Sequence, residues 1–236
     1  MKEKMFLYLV KFLVLYCLLL AIMFVFQRRL MYYPSRDLQP PQTYGVQAEA
    51  ITLTTADGVN ITAWEMLAEK GMPTVLHVHG NAGNIGDRAL VYNAYHAAGF
   101  GVLALEWRGY GSSEGKPSEE GFYNDARAAI AHLKKNGVAE SDIILYGESI
   151  GTGTAVQMAT EISARALLLE APFTSLWKRA AEIYWFLPVK WVVKDRYDSL
   201  NKIAQVTEPL LIFHNTGDKI VPYRHGKELF EAANEP

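Results

Sequence analysis

The chain has 236 residues, of which 50% are hydrophobic and 20% are charged, and its formal net charge is −2. This balance lacks the basic surface on which nucleic-acid binding depends, so we predict no nucleic-acid partner. Cys17 is the only cysteine, which excludes an internal disulfide framework.

The first 30 residues contain an almost wholly apolar run, Met5 to Phe26. A helix of this length spans ~33 Å, enough for the ~30 Å hydrocarbon core of a bilayer. The basic residues Lys2 and Lys4 would also suit a signal peptide, but no small-x-small cleavage site follows the run. We predict an uncleaved, single-pass signal-anchor over residues 1–30. Cations on both sides of the run leave its orientation open.

A proline-rich stretch follows, and we predict a linker over residues 31–48 before one domain over residues 49–236. Roughly 200 residues are enough for one domain with a sizeable core. Ile51–Thr55 and Ile61–Met66 alternate apolar and polar residues around an Asp-Gly pair. This pattern predicts a β-hairpin at the start of the domain.

Strands and helices then alternate along the chain. Predicted strands lie near Thr74–His79, Val102–Glu106, Ile143–Tyr146, Ala166–Leu169 and Leu210–His214, and predicted helices near Asp87–Ala98, Glu119–Lys135, Ile150–Ile162 and Tyr223–Ala233. This alternation predicts an α/β fold in which helices cover both faces of a mostly parallel sheet. Ligands bind such sheets at the carboxyl ends of the strands.

The sequence Gly147-Glu148-Ser149-Ile150-Gly151 directly follows a short apolar strand and precedes a helix rich in small residues. This is the context of a nucleophile elbow, a tight turn that exposes a serine hydroxyl above the sheet. The turn would also place the Ile150 backbone N–H at a helix N-terminus, where it could bind an oxyanion.

A second strand ends at His79-Gly80, a pattern typical of an oxyanion loop. We predict the second oxyanion donor at the Asn81 backbone N–H, with Ala82 as the neighbouring alternative. We interpret His79 as a structural residue that fixes the loop. His77 and His79 alternate along the strand, but no third ligand follows at a suggestive spacing, so no metal or other cofactor is predicted.

Two carboxylates are candidates for the acid of a Ser…Asp…His triad. Asp218 lies on a short Gly-containing loop after the strand Leu210–His214, and this chain order suits such a triad. Glu170 ends the strand that follows the nucleophile, where it could instead form a structural hydrogen bond. We favour Asp218.

The chain resembles members of the α/β-hydrolase superfamily, and within it the membrane-anchored α/β-hydrolase domain-containing branch, which is related to serine aminopeptidase-like hydrolases. The resemblance runs from about Ile51 to the last residue. It is carried by His79-Gly80-Asn81-Ala82-Gly83-Asn84, Arg108-Gly109-Tyr110-Gly111-Ser112-Ser113, Gly147-Glu148-Ser149-Ile150-Gly151, Pro172-Phe173-Thr174-Ser175 and Gly217-Asp218-Lys219-Ile220-Val221-Pro222. It implies that Ser149 is the nucleophile and Asp218 the acid. Glu106 stands where the family more often has Asp.

The same resemblance places the catalytic histidine after one further helix and one further strand. We therefore expect that histidine beyond Pro236, with the C-terminal strand and helix missing from a truncated and inactive form. His225 is the one histidine after Asp218 and is kept as an alternative base. Its Val-Pro-x-x-His context is that of a helix residue common in this branch.

Residues 173–205 occupy the place where α/β-hydrolases commonly insert a cap. This segment is rich in aromatic residues, namely Trp177, Tyr184, Trp185, Phe186 and Trp191. Two interpretations remain open. The segment either forms a short lid over an apolar pocket or packs as a helix onto the sheet.

These features predict a membrane-anchored serine hydrolase that cleaves an ester, thioester or amide through an acyl-enzyme on Ser149. The expected substrate is a small molecule of acyl or lipid type, and the oligomeric state is left open. The alternative is a non-catalytic binding or scaffold protein that lacks the catalytic histidine. A haloperoxidase or an acyltransferase of the same fold is a further alternative.

Overall fold

The computed structural model describes residues 1–234. Its helices are α1 (Lys2–Met31), α2 (Ala89–Ala97), α3 (Glu119–Lys135), α4 (Ile150–Ala159), α5 (Leu176–Ile183), α6 (Val189–Val192) and α7 (Arg224–Glu231). Its strands are β1 (Tyr33–Pro34), β2 (Glu49–Thr54), β3 (Asn60–Met66), β4 (Thr74–Val78), β5 (Ala82–Gly83), β6 (Gly101–Leu105), β7 (Ile143–Glu148), β8 (Ala166–Glu170) and β9 (Leu210–Phe213).

Seven strands form one sheet in the order β2-β3-β6-β4-β7-β8-β9. The pairs β2–β3 and β3–β6 are antiparallel, and every later pair is parallel. All residues of β4 and β6 are buried, which explains why these strands are continuous apolar runs in the sequence. The predicted α/β-hydrolase architecture, a mostly parallel sheet covered by helices on both faces, is confirmed.

The predicted hairpin and the predicted α3 helix are both confirmed. In the hairpin, Ile51 lies opposite Ala63 in an antiparallel register. The α3 helix has the predicted bounds because its ends carry clear signals. The Ser118 hydroxyl accepts a hydrogen bond from the Gly121 N–H at 3.1 Å, and acidic residues occupy the first turn and basic residues the last.

Three predicted helices are shorter than expected. The helix predicted from Asp87 starts at Ala89, because residues Ile85–Arg88 form a 3₁₀ turn closed by a capping box between Asn84 and Asp87. The α4 helix ends at Ala159 and α7 at Glu231, each a few residues before its predicted end. Helix ends are the least determined part of a sequence pattern because terminal turns fray or tighten.

The segment predicted as a linker, residues 31–48, packs against the domain. Tyr32 is buried in the main core, where its hydroxyl lies 2.9 Å from that of Tyr197. Strand β1 pairs in parallel with β5, and Val46 is fully buried. The free energy released by burying apolar side chains of this stretch exceeds the conformational entropy that a flexible linker would keep.

Helix α1 buries none of its residues. Within residues 1–234 it is the one helix long and apolar enough to cross a membrane. Its C-terminal end is fixed to the domain because the Arg28 guanidinium donates two hydrogen bonds of 2.8 Å to the Asp195 carboxylate. Direct polar contacts of this kind orient the helix relative to the domain.

Arg108 joins the turn of the β2–β3 hairpin to α3. Its guanidinium donates two hydrogen bonds to Asp57, at 2.6 and 2.9 Å, and one to the buried Asp125 at 2.8 Å. Burial raises the pKa of Asp125 to about 6, although hydrogen bonds from Arg108 oppose that rise. The Arg108 motif noted in the sequence therefore has a structural role in the fold.

His77 lies in the central strand β4 with 1% of its surface exposed. Its Nδ1 atom is 3.2 Å from the Tyr92 hydroxyl, and its ring packs edge-on against Tyr146 at 4.5 Å between centroids. Burial lowers the pKa of His77 to about 3, so the side chain is neutral in the folded protein near pH 7.

This depressed pKa predicts a pH dependence of folding stability. Between pH 7 and pH 5 the unfolded chain takes up a proton on His77 and the folded chain does not, so stability falls as the pH falls. With an unfolded pKa of about 6.5, His77 contributes a loss on the order of 2 kcal/mol over this interval. Chemical denaturation in detergent at both pH values should show that His77→Gln removes this part of the pH dependence. An unchanged dependence in the variant would contradict a neutral buried His77.

Candidate active site

Ser149 lies at the sharp turn between β7 and α4, with the unusual backbone angles φ 49° and ψ −114°. A Cβ on Gly151 would lie 2.1 Å from the Val78 carbonyl oxygen, and one on Gly147 would lie 2.7 Å from the Thr152 Cα. Both glycines are therefore required for the close packing of α4 on the sheet. The strained backbone angles of Ser149 are those expected of the serine in a nucleophile elbow.

The loop after β4 is fixed by a buried pair of side chains, His79 and Glu106. The His79 Nδ1 lies 2.8 Å from the Gly80 carbonyl oxygen, and its Nε2 lies 3.0 Å from Glu106 Oε1. The other carboxylate oxygen accepts a hydrogen bond from the Ile85 N–H at 3.1 Å. Both ring nitrogens of His79 are engaged, which agrees with the structural role predicted for it. Glu106 supplies this contact in place of the more common Asp.

Two hydrogen bonds fix the position of Asn81, one made by its side chain and one by its backbone carbonyl. The Tyr110 hydroxyl donates to the Asn81 carbonyl oxygen at 2.8 Å, and Asn81 Nδ2 donates to the Met31 carbonyl oxygen at the end of α1. Burial raises the pKa of Tyr110, so its hydroxyl remains a donor near pH 7. Asn81 faces the same cavity as Ser149 and Ile150, whereas Ala82 pairs with β1.

Ile150 is the first residue of α4. The first N–H groups of a helix have no partner within the helix and carry its positive partial charge. The predicted donors at Asn81 and Ile150 therefore lie on the same cavity as the Ser149 side chain. Together they can bind a negatively charged oxygen formed at a carbonyl group.

Asp218 lies on the loop after β9, as the sequence predicted. One carboxylate oxygen accepts hydrogen bonds from the Ile220 N–H at 2.7 Å and the Val221 N–H at 3.0 Å. The other lies 3.7 Å from His214 Nε2. Ile220 and Val221 line the cavity that contains Ser149, so the loop that carries Asp218 borders the same cavity as the serine.

His225 is buried and engaged elsewhere. Its Nδ1 lies 3.0 Å from the Thr174 hydroxyl, and its Nε2 lies 3.3 Å from Glu182 Oε2. Within residues 1–234, no hydrogen bond joins any histidine to the Ser149 hydroxyl. His225 has no hydrogen bond to Asp218 in that range either. These contacts suit a helix residue better than a catalytic base.

Glu170, the alternative acid, is committed to structural contacts. Its side chain accepts a hydrogen bond from the Tyr146 hydroxyl, and its backbone carbonyl accepts one of 2.8 Å from the Ser149 N–H. Glu170 therefore helps to hold the elbow through its backbone. Among residues 1–234, no group of three or more His, Cys, Asp or Glu side chains is arranged to hold a metal ion.

Arg88 connects the elbow to the loop after β4. Its Nε and Nη2 atoms each donate a 2.9 Å hydrogen bond to the Glu148 carboxylate, and its Nη1 donates to the Ala82 carbonyl at 2.9 Å. Burial alone would raise the pKa of Glu148, but the hydrogen bonds and charge of Arg88 outweigh burial and bring that pKa below its usual value. Arg88 could not be predicted from the sequence, because its position in a 3₁₀ turn has no motif of its own.

A cavity of about 310 Å³ extends from Ser149 between α1 and the segment of α5 and α6. Leu20, Met23 and Leu30 of α1 form one wall, and Ala180 and Leu187 form part of another. This location favours the lid interpretation of residues 173–205. Trp185 and Trp191 are each 82% exposed and so do not pack onto the sheet.

Comparisons with known proteins agree with this geometry. A family model described as serine aminopeptidase, S33, matches residues 70–201. The uncharacterized protein Rv2307c of Mycobacterium tuberculosis is 38% identical over 222 residues, which cover 92% of this chain and 79% of that protein. Lysophosphatidylserine lipase ABHD12 of Danio rerio is 29% identical, over 84% of this chain and 62% of that protein.

Among solved structures, the esterase Pf2001 of Pyrococcus furiosus has the same fold, with a TM-score of 0.69 and 22% identity, over 85% of this chain and 84% of that one. The family model covers more than half of the chain. The chain therefore belongs to the serine aminopeptidase S33 family and is a hydrolase of the α/β-hydrolase fold.

Proposed function

We propose that this protein is a membrane-anchored serine hydrolase that cleaves an ester, thioester or amide through an acyl-enzyme on Ser149. One observation carries the proposal. Ser149 sits in a strained elbow on an apolar cavity that it shares with Asn81 and Ile150. A serine held in this way beside two backbone donors is suited to acyl transfer.

In the proposed reaction, Ser149 Oγ attacks the carbonyl carbon while its proton passes to a histidine base. The Asn81 and Ile150 N–H groups stabilise the oxyanion of the tetrahedral intermediate. The intermediate collapses, the leaving alcohol, thiol or amine takes the proton, and an acyl-serine remains. Water, deprotonated by the same base, then attacks the acyl group and releases the acid and the free serine.

The proposed base is a histidine carboxy-terminal to residue 236, oriented by Asp218. The positions of the present histidines support this. His79 and His225 have both ring nitrogens engaged with other groups, and His214 Nε2 lies 2.7 Å from the Val221 carbonyl oxygen. The turn at Asp218 leaves its second carboxylate oxygen 3.7 Å from His214 and without a hydrogen bond among residues 1–234.

The proposed location is a membrane crossed once by α1. Two properties of α1 support a membrane-spanning role. None of its residues is buried, and a helix of 30 residues is ~45 Å long, which is more than a bilayer core requires. We propose residues 1–30 as the anchor, residues 49–236 as the catalytic domain and residues 173–205 as its cap. The apolar cavity supports an acyl or lipid-type substrate. The similarity to a lysophosphatidylserine lipase supports the same class.

The nucleophile is tested with a serine-directed fluorophosphonate probe on the natural, membrane-borne protein. We expect Ser149→Ala to abolish labelling, because the probe reacts only with an activated serine. Ser112→Ala should label like the unchanged protein, since the exposed Ser112 hydroxyl bonds to Thr62 on the hairpin. Labelling that persists in Ser149→Ala would contradict the assignment. A folded natural protein that does not label would favour the non-catalytic scaffold.

Arg88 is proposed as a positioning residue that fixes the elbow relative to the oxyanion loop. We expect Arg88→Ala to lower kcat for a simple ester about tenfold to a hundredfold with little change in KM, since small displacements of reacting groups have effects of this size. Arg165→Ala is the matched control because that guanidinium pairs with the exposed Asp142. Equal kcat values for the two folded variants would exclude the positioning role.

A further inference from the structure

The cap, residues 173–205, runs alongside α1 and contacts it through three of its residues, at two levels along the helix. Asp195 pairs with Arg28 near the end of the helix. At the neighbouring position, the Gln27 side chain donates to the Val192 carbonyl at 3.1 Å. Much nearer the N-terminus of α1, the Tyr16 hydroxyl donates to the Phe186 carbonyl at 2.8 Å. The cap therefore follows the helix over a long distance from the domain.

These contacts determine how deep the cap would lie beside a helix that crosses a bilayer. Tyr16 precedes Arg28 by twelve positions, which corresponds to ~18 Å along a helix. Arg28 and Asp195 form a charged pair that belongs at the polar edge of the membrane. Half of a ~30 Å hydrocarbon core is ~15 Å, so the level of Tyr16 and Phe186 lies near the middle of the bilayer.

The tip of the cap, residues 183–186, has the apolar surface that a position near the middle of the bilayer requires. Its exposed side chains are apolar or aromatic, namely Ile183, Tyr184, Trp185 and Phe186. An apolar patch of this kind marks a surface that contacts a partner or a membrane. Lys194 lies higher, with its Nζ 4.1 Å from the Phe24 ring centroid, where a lysine can reach the headgroups.

Three backbone groups of the cap have hydrogen-bond partners on α1, namely the Phe186 and Val192 carbonyls and the Lys194 N–H. Irregular backbone within a bilayer needs partners from the protein, because lipid offers none. Tyr16 supplies one for the Phe186 carbonyl. Gln27 supplies two, since its Oε1 also accepts from the Lys194 N–H at 2.8 Å.

Two charged side chains of α5, Arg179 and Glu182, are bound to later parts of the domain. The Arg179 guanidinium donates to the Ile220 carbonyl at 2.6 Å and to Glu182 at 3.0 Å. Glu182 also pairs with Arg224 at 2.7 Å. This network joins α5 to the loop after β9 and to α7.

We propose that the cap is embedded in the same leaflet as the C-terminal half of α1, and that an acyl chain of a membrane lipid enters the cavity sideways from the bilayer, between α1 and the cap. Leu20 and Met23 would line the chain, and Ser149 lines the same cavity. Met31 and Leu20 are eleven positions apart, or ~17 Å along the helix, which suits a long acyl chain. Helix α1 is then part of the substrate site as well as an anchor. This inference rests on the proposed membrane-anchored hydrolase.

The depth of the cap is tested with the full chain in phosphatidylcholine vesicles. In a Cys17→Ala background, an environment-sensitive fluorophore is attached to Phe186→Cys, Leu18→Cys or Leu67→Cys, and nitroxide-labelled lipids are added as quenchers. Leu18 is an exposed position of α1. Leu67 follows the last residue of β3, which pairs with a residue near the start of β6. Leu67 therefore lies at the end of the sheet opposite the strand ends that carry Ser149.

We expect quenching at Phe186→Cys and Leu18→Cys and none at Leu67→Cys. Quenching at Leu18→Cys without quenching at Phe186→Cys would overturn the embedded cap and leave the anchor intact. If Leu18→Cys is not quenched, the anchor of the proposed function has failed, and the embedded cap fails with it.

The acyl path is tested with Met23→Trp in the natural, membrane-borne protein. Met23 lines the cavity, whereas Leu18 lies on the other side of α1 and outside it. We expect Met23→Trp to lower the ratio of long-chain to short-chain p-nitrophenyl ester hydrolysis about tenfold or more, and Leu18→Trp to leave it unchanged. Equal ratios in both variants would overturn the acyl path along α1. Absence of any ester hydrolysis in the unchanged protein would count against the proposed function, while the quenching assay would still decide the position of the cap.

Discussion

The close approach of α4 to β4 is the constraint on which the site depends. Gly151 lies so near the Val78 carbonyl that no larger residue fits, and this contact forces the chain to turn sharply at Ser149. The turn directs the serine towards the cavity and begins α4 at Ile150. Backbone strain of this kind persists only where the surrounding contacts hold it, and here the Glu170 carbonyl and the Arg88–Glu148 pair do so.

The N-terminal helix and the domain form one unit around the proposed substrate cavity. Two contacts connect the helix directly to the domain. Arg28 pairs with Asp195 in the segment of residues 173–205, and the Met31 carbonyl accepts a hydrogen bond from Asn81 in the loop after β4. A displacement of α1 would therefore change both the cavity wall and the loop that carries a proposed oxyanion donor. The proposed anchor and the proposed chemistry are coupled by these contacts.

Much of the fold could be predicted from the sequence because its signals are local. The α3 helix has clear end signals in Ser118 and its charged termini, and β4 and β6 are continuous apolar runs. The elbow was found because its glycines and serine are adjacent in the chain. Each of these features depends on residues within a few positions of one another.

The parts that could not be predicted depend on contacts between distant residues. Arg88 meets Glu148 across 60 positions, and Tyr16 meets Phe186 across 170. The packing of residues 31–48 follows from Tyr32, which enters a core formed largely by later segments. No pattern along the chain distinguishes an Arg or a Tyr in such contacts from one on the surface.

The central claim is that Ser149 reacts with a carbonyl compound whose acyl chain lies along α1. It is tested most directly by a fluorophosphonate with a long alkyl chain and a terminal photoreactive diazirine, applied to the natural protein in its membrane. After illumination and digestion, mass spectrometry identifies the two attached peptides. We expect a crosslink between the Ser149 peptide and the α1 segment around Leu20 and Met23. A Ser149 adduct crosslinked only to other segments, or no adduct on Ser149, would contradict it.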